Sequence, residues 1–257
     1  MDASTKYIAT SAAEMVEIVD ESNNVLAPKT RAEMRKDKLI HRATYAFVRD
    51  SNNYFYVQKR SSLKDYCPNF FDPTPGGVVA AGESYEDTNR REIEEEMGIK
   101  DVPMKHLFNF FYEDSRVRCF GDAWDVVYDG PLKLQSEEVD SVHMMSMHEI
   151  LTKAENGENF TPDSIFACRQ YVEKALDKEI FTPKGPRPTA FVVISDTVSP
   201  APDDESVFRV PINHSACRWP QALGSSGEDA KALIVRDRPE LNVSIVKAGS
   251  MVNKSAF

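Results

Sequence analysis

The chain has 257 residues, of which 28% are charged, and a formal net charge of -10 at pH 7. That acidity weighs against a broad nucleic-acid-binding face or an anionic-membrane patch, but not against a small phosphorylated ligand held through metal ions. No apolar run is long enough to span a bilayer, and MDASTKYIATSAAEMVEIVD lacks the basic-then-apolar order of a secretory signal. Four scattered cysteines (Cys67, Cys119, Cys168, Cys217) without a C-x-x-C pair suit reduced, buried thiols, so the expectation is a cytoplasmic protein.

MVEIVDESNNVLAPKT places two apolar stretches around an Asn-Asn turn, which predicts a β-hairpin. RAEMRKDKLIH follows as a short basic helix or connector. HRATYAFVRDSNNYFYVQKR repeats the hairpin pattern around Ser51, Asn52 and Asn53. A loop, SSLKDYCPNFFDPTP, leads to Gly76 and Gly77. KHLFNFFYED and VRCFGDAWDVVYDG predict another strand pair, and HMMSMHEILTKA a strand followed by a helix. FTPDSIFACRQYVEKALDK is a helix with Thr161 as cap and Pro162 in the first turn, its apolar stripe being Ile165, Cys168, Val172, Ala175 and Leu176. Many strands, few helices and mostly hairpin connections give an α+β layered domain ending near Lys184. Residues 185–217 turn Pro-rich and acidic around one apolar run, Phe191 to Ile194, and read as a linker. From residue 218 on, a helix-like GEDAKALIVRD precedes an alternating strand, LNVSIVKAG.

The stretch GGVVAAGESYEDTNRREIEEEMGI crowds acids onto a predicted helix that ends at Gly98. Glu92, Glu95 and Glu96 stand at i, i+3 and i+4 and share a face, where they repel one another unless a cation sits between them. Oxygen ligands without histidine suit Mg²⁺ or Mn²⁺ rather than zinc. Arg91 is placed to brace a carboxylate, and a Gly77 carbonyl can supply a further oxygen. The chemistry that follows is metal-assisted attack of water on a phosphoanhydride. Glu83 reads as a brace for the helix start.

The spacing Gly77-x5-Glu83-x7-Arg91-Glu92-Ile93-x-Glu95-Glu96-x-Gly98-Ile99 resembles the Nudix box at every defining position. HRATYAFV, VQKR, the Lys-Asp loop and FTPDS resemble the isopentenyl-diphosphate-isomerase-like branch, and the likeness covers about residues 14–180. It implies a mixed sheet between helices and Mg²⁺-dependent hydrolysis of a nucleoside diphosphate linked to another moiety. It also implies metal ligation by Glu92, Glu95 and Glu96, with a Glu92-type residue as base and a further glutamate from a later loop. In LQSEEVDSV that position is Glu138, or else Glu137. The true isomerases carry a cysteine and metal-binding histidines that FDPTPGGVV lacks, which leaves His41 a structural reading. Lys59, Arg60, Lys64, Arg116 and Arg118 are the candidates for holding a diphosphate, and Phe111 or Tyr112 for stacking on a base.

WPQALGSSGEDAKALIVRDRPELNVSIVKAGSMVNKSAF resembles the first two-thirds of the potato inhibitor I family of serine-protease inhibitors. Lys254 and Ser255 would flank the reactive bond, which implies a trypsin-like protease as the alternative partner. The family's following strand is not part of the match, so a partial α/β appendage over residues 218–257 is expected. A parallel pairing of the run at 191–194 with VSIVK, around the helix near residues 226–235, would complete a small crossover unit.

Overall fold

The computed structural model describes residues 3–174, 182–188, 190–194, 232 and 243–247. Helix α1 (Ala3–Ala13) leads into the first hairpin, β1 (Met15–Val19) and β2 (Val25–Thr30), which pair antiparallel. Asp20 makes the turn, its carboxylate accepting the N–H groups of Ser22 and Asn24 at 2.8 and 2.9 Å. Short helix α2 (Arg31–Lys36) begins at a capping box in which Thr30 and Glu33 satisfy each other's backbone.

The second hairpin forms only at its turn. β3 (His41–Arg49) and β4 (Phe55–Arg60) pair at Arg49↔Phe55 and then part, because each has a longer partner elsewhere. β3 runs parallel to β7 (Arg118–Val127) from His41↔Cys119 to Arg49↔Val127, and a buried Arg49–Asp125 fork at 2.8 Å ties the two. β4 pairs antiparallel with β8 (Val139–Met145) and with the two-residue β5 (Phe71–Asp72). β6 (Lys105–Glu113) completes the expected antiparallel pair with β7.

The gap beside β3 is filled by residues 75–79. Ala46 N–H donates to the Pro75 carbonyl, Thr44 N–H to Gly77 and Val79 N–H to Arg42, at 2.8, 2.9 and 2.9 Å. A Cβ on Gly76 would stand 2.1 Å from the Thr44 carbonyl oxygen, so glycine is required there.

Alternation along β3 builds the two layers. Tyr45 and Phe47 pack with Met147 and Ile150 of α4 (Met147–Glu155) and with Ala167 and Tyr171 of α5 (Pro162–Lys174). Ala46 and Val48 face Ile93 and Met97 of α3 (Tyr85–Met97). A mixed sheet lies between helices, in an α+β fold.

Two expectations need correction. Helix α5 buries Ser164, Ala167, Cys168 and Tyr171 and leaves Val172 37% exposed, so its inner face is rotated from the predicted stripe. Tyr171 sets the rotation: it stacks on Phe47 at 4.5 Å and buries more surface than Val172 could. Ala175 and Leu176 lie outside the described residues. The second correction is in the tail. β9 (Ala190–Ile194) does pair with β10 (Val243–Lys247), but antiparallel, from Ala190↔Lys247 to Ile194↔Val243. An antiparallel pair needs no crossover helix, so the expected strand–helix–strand unit is not formed by these strands. Val193 of β9 bridges Leu132 and is buried in the core layer under α3. Cys217, Lys254 and Ser255 lie outside the described residues.

Candidate active site

Helix α3 supplies most of the acids. Ser84 caps it by accepting the Asp87 N–H at 3.1 Å, and Gly98 ends it in a left-handed turn at φ 72°. Its buried face holds Thr88, Asn89, Ile93 and Met97 together with Glu92 and Glu96, one turn apart. Glu138, just before β8, joins them. Glu92, Glu96 and Glu138 each bring a carboxylate oxygen within 4.8 Å of the others. Glu95 stands on the flank of the helix instead, 49% exposed at its side chain, with Oε2 accepting from Arg91 Nη1 at 3.0 Å. The three grouped carboxylates are therefore not the three that helical spacing alone suggested.

Arg91 ties the cluster together. It donates through Nε and Nη2 to Glu83 at 3.1 Å each, and through Nη1 to Glu92 Oε1 and Glu95 Oε2 at 3.0 Å each. Glu83 also accepts from the Thr88 hydroxyl at 2.7 Å, so it braces the first turns of α3. Lys64 is the cation inside the group, bonded to Glu138 and 3.5 Å from Glu96 Oε1. Tyr7 of α1 donates to Glu138 Oε1 at 3.0 Å.

The charges do not balance. Burial, against the pull of Arg91, pushes Glu92 up to about 7, and burial raises Glu96 well above the carboxylate range. Burial, the largest influence, would raise Glu138 as well, but Lys64 first and then its other hydrogen-bonding neighbours, Tyr7 among them, together hold that group down at about 2. Glu96 Oε2 is buried with no hydrogen-bond partner. A buried, unpartnered carboxylate oxygen beside two further carboxylates fits a divalent cation held by oxygen ligands. The group borders a cavity of about 880 Å³ whose walls come from α1, α2, β3, the end of β4, the 74–78 segment and the start of α5.

The family model described as the NUDIX domain matches residues 39–164. An uncharacterized Nudix hydrolase of Yersinia pestis is 44% identical over 166 residues, 65% of this chain and 90% of that protein. The uncharacterized Nudix hydrolase YfcD of Escherichia coli K12 is 39% identical over 166 residues, 65% and 91% of the two chains. The chain belongs to the Nudix hydrolase family. A crystal structure of DR0079 from Deinococcus radiodurans shares the fold, with a TM-score of 0.56 and 24% identity over 61% of this chain and 98% of that one. The model described as the Potato inhibitor I family matches residues 211–256, of which the structure describes 232 and 243–247.

The Nudix fold sorts the candidate diphosphate ligands. Arg60 and Lys64 line the cavity, whereas Lys59, Arg116 and Arg118 are not among its lining residues. Strand alternation turns Lys59 away from Arg60, and its ammonium lies 4.3 Å from the Phe71 ring centroid. Arg116 lies over Tyr66 at 5.1 Å, and Arg118 pairs with Glu113 and Glu21 at 3.3 and 3.7 Å. Phe111 and Tyr112 also stay outside, packed on Phe120 and Phe166. Sequence reasoning missed Arg31 and Arg35, which line the cavity and share Asp65, with Nε atoms 2.9 and 3.2 Å from its Oδ2. Their i, i+4 spacing in RAEMR was the available signal. Gly77 packs against Glu92 so closely that a Cβ there would lie 2.2 Å from Oε1. Its carbonyl accepts from the Thr44 N–H at 2.9 Å and from the Thr44 hydroxyl at 3.5 Å.

Proposed function

We propose that this Nudix protein hydrolyses a phosphoanhydride bond in a nucleoside diphosphate linked to another moiety, or a related diphosphate, with Mg²⁺ and alternatively Mn²⁺. The observation that carries the reading is the convergence of Glu92, Glu96 and Glu138 around an unpartnered carboxylate oxygen, with Glu92 and Glu138 lining a cavity of about 880 Å³. These three residues would hold the cation, with Glu95 and the Gly77 carbonyl as further oxygens at the rim. Bound there, it supplies positive charge and Lewis acidity for a diphosphate.

The chain's own groups do the rest. Glu92, fixed by Arg91 at Oε1, takes a proton from the water that attacks phosphorus, and Glu138 is the alternative base. Arg91 positions Glu92 and Glu95 through its fork. Lys64 holds Glu138 in place, and Lys64, Arg31, Arg35 and Arg60 set a positive wall for the diphosphate. The isomerase-like character of the surrounding loops belongs to this reading as ancestry rather than as isomerisation, because His41 bonds the Leu39 carbonyl and stands outside the acidic group. Free, buried Cys67, Cys119 and Cys168 support a reducing, cytoplasmic setting. We assign residues 1–184 to the hydrolase, 185–217 to a linker with one strand and 218–257 to the appendage. A panel of dinucleotides and nucleoside diphosphate sugars, assayed for Mg²⁺-dependent release of phosphate esters, tests the reading. Failure to turn over any of them would sink it.

The match of residues 211–256 to the Potato inhibitor I family favours a second reading, a tail that binds a trypsin-like protease through Lys254 and Ser255. Titration of trypsin with the whole chain decides it, since an inhibitor slows the protease and a substrate is cut after Lys254.

A further inference from the structure

Lys64 faces two demands: it holds Glu138, and it lines the cavity meant for a diphosphate. Its side chain is 8% exposed. Among the described residues its ion-pair partners are Glu138 and Glu96, with Nζ 3.5 Å from Glu96 Oε1. Both belong to the three carboxylates that converge within 4.8 Å. Other cations on the cavity wall are anchored differently. Arg31 and Arg35 share Asp65, and Arg60 donates to Asp72 Oδ2 and the Tyr66 carbonyl at 2.8 and 3.1 Å. Arg91 reaches Glu92, but its fork is fixed on Glu83 as well. Of these, Lys64 alone is held wholly by acids that a divalent cation would claim. The backbone beneath it is pinned, because Ser61 N–H donates to the Glu138 carbonyl at 2.8 Å and Lys64 N–H to the Ser61 carbonyl at 3.4 Å. The ammonium can therefore move only on its own four-carbon stem, which is flexible.

A divalent cation among Glu92, Glu96 and Glu138 duplicates the positive charge of Lys64, and two cations on one carboxylate repel each other. A diphosphate in the cavity brings the negative charge that a displaced ammonium needs. We propose that Lys64 is an exchangeable counter-ion: its ammonium neutralises Glu96 and Glu138, yields their oxygens to Mg²⁺, and turns to pair with the diphosphate. Metal binding and diphosphate binding are thereby coupled through one side chain, each favouring the other. A fixed brace would act in the opposite sense, since by orienting Glu138 it would help that carboxylate meet the metal. The inference rests on the diphosphate-hydrolase reading, but its readouts are binding and accessibility rather than turnover.

Two measurements on the whole chain test it, with methylenediphosphonate as an anion that resists hydrolysis. Lys64→Met keeps the length of the side chain and removes its charge. By calorimetry this variant should bind Mg²⁺ about tenfold more tightly than the wild type, and methylenediphosphonate at saturating Mg²⁺ about tenfold more weakly. Thermal unfolding checks that it is folded. The second measurement needs no variant: acetylation of Lys64 by acetic anhydride, read by mass spectrometry on the wild type. It should speed up severalfold on adding Mg²⁺ and slow again on adding methylenediphosphonate. If Lys64→Met unfolds, this pattern decides. Weaker or unchanged Mg²⁺ binding by the folded variant would make Lys64 a fixed brace and overturn the proposal. Unchanged methylenediphosphonate affinity, or acetylation indifferent to Mg²⁺, would overturn it equally. A chain with the expected exchange that hydrolyses no phosphoanhydride would lose the reaction and keep the counter-ion; turnover with Lys64 indifferent to Mg²⁺ would do the reverse.

Discussion

Glu96 Oε2 has almost no access to water and no hydrogen-bond partner, while Glu92 and Glu138 offer oxygens within 4.8 Å of its own carboxylate. Such an arrangement is unfavourable without a cation and favourable with one. Glu96→Gln is therefore expected to raise the melting temperature of the metal-free protein and to abolish the further rise on adding Mg²⁺. Its hydrolytic rate should fall on the order of 10²–10³-fold, whereas Glu95→Gln, at the exposed flank, should lose less. Thermal unfolding with and without Mg²⁺ and a rate measurement check both halves. Equal losses from the two substitutions would contradict the geometry.

His41 gives a pH dependence with a definite sign. Its folded value, near 3, lies below the unfolded 6.5, chiefly through burial and then through the charges of Arg35 and Arg31. Asp65 and the Leu39 carbonyl oppose that shift. The unfolded state thus binds the proton first, so this contribution to stability is complete above about pH 6.5 and is lost as pH falls toward 3. The slope is about 1.4 kcal/mol per pH unit for one proton. Denaturant unfolding between pH 7 and 4 should show a steeper loss for the wild type than for His41→Gln. Subtracting the variant removes the opposite trend of Glu92 and Glu96, whose raised values favour the folded state on acidification.

At the level of elements, α3 was legible from Gly98 at its end and from acids spaced by a turn, while its cap, Ser84, came only with the structure. What the spacing could not show is which acids the rest of the chain completes. Glu138 enters through the loop before β8, and Lys64 from the loop after β4 selects it. The β3–β4 turn was readable from Ser51, Asn52 and Asn53, but the splitting of its strands is set by β7 and β8, distant in sequence. Helix α1 gave no signal, since ASTKYIATSAA has no continuous apolar face and Ile8 is 51% exposed. Yet α1 brings Tyr7 to Glu138, Glu14 beside it pairs with Arg31 at 3.3 Å, and several α1 residues line the cavity. Tyr7→Phe should lower kcat about tenfold or less, because it removes one hydrogen bond to Glu138 and leaves the carboxylate in place. Removal of residues 1–13 should cost more and should also raise KM, since a cavity wall goes with it. Steady-state kinetics on the best substrate separate the two, and wild-type kcat in both would remove α1 from the site.

At the scale of the whole molecule, β9 packs on the core of the hydrolase and β10 pairs with β9. Val193 is 2% exposed, bridges Leu132 and belongs to the core layer that includes Ile93 and Met97 of the box helix. The apolar run at 191–194 announced a strand, but its composition could not reveal that the covering surface would be the catalytic domain as well as β10. If this packing is part of the hydrolase fold, Val193→Ala should cost about 1–2 kcal/mol and Val193→Asp about 3 kcal/mol or more, by burying an unpaired charge. The consequence reaches the site, because Leu132 and Lys133 follow the end of α3 in space: Lys133 N–H donates to the Met97 carbonyl at 2.8 Å. Calorimetry with Mg²⁺ present reads the distinction. A shared fold predicts that Val193→Asp lowers the same transition that Mg²⁺ raises, with activity lost at a correspondingly lower temperature. Were the β9–β10 ribbon an independent unit, the Mg²⁺-sensitive transition would stay where it is in the wild type.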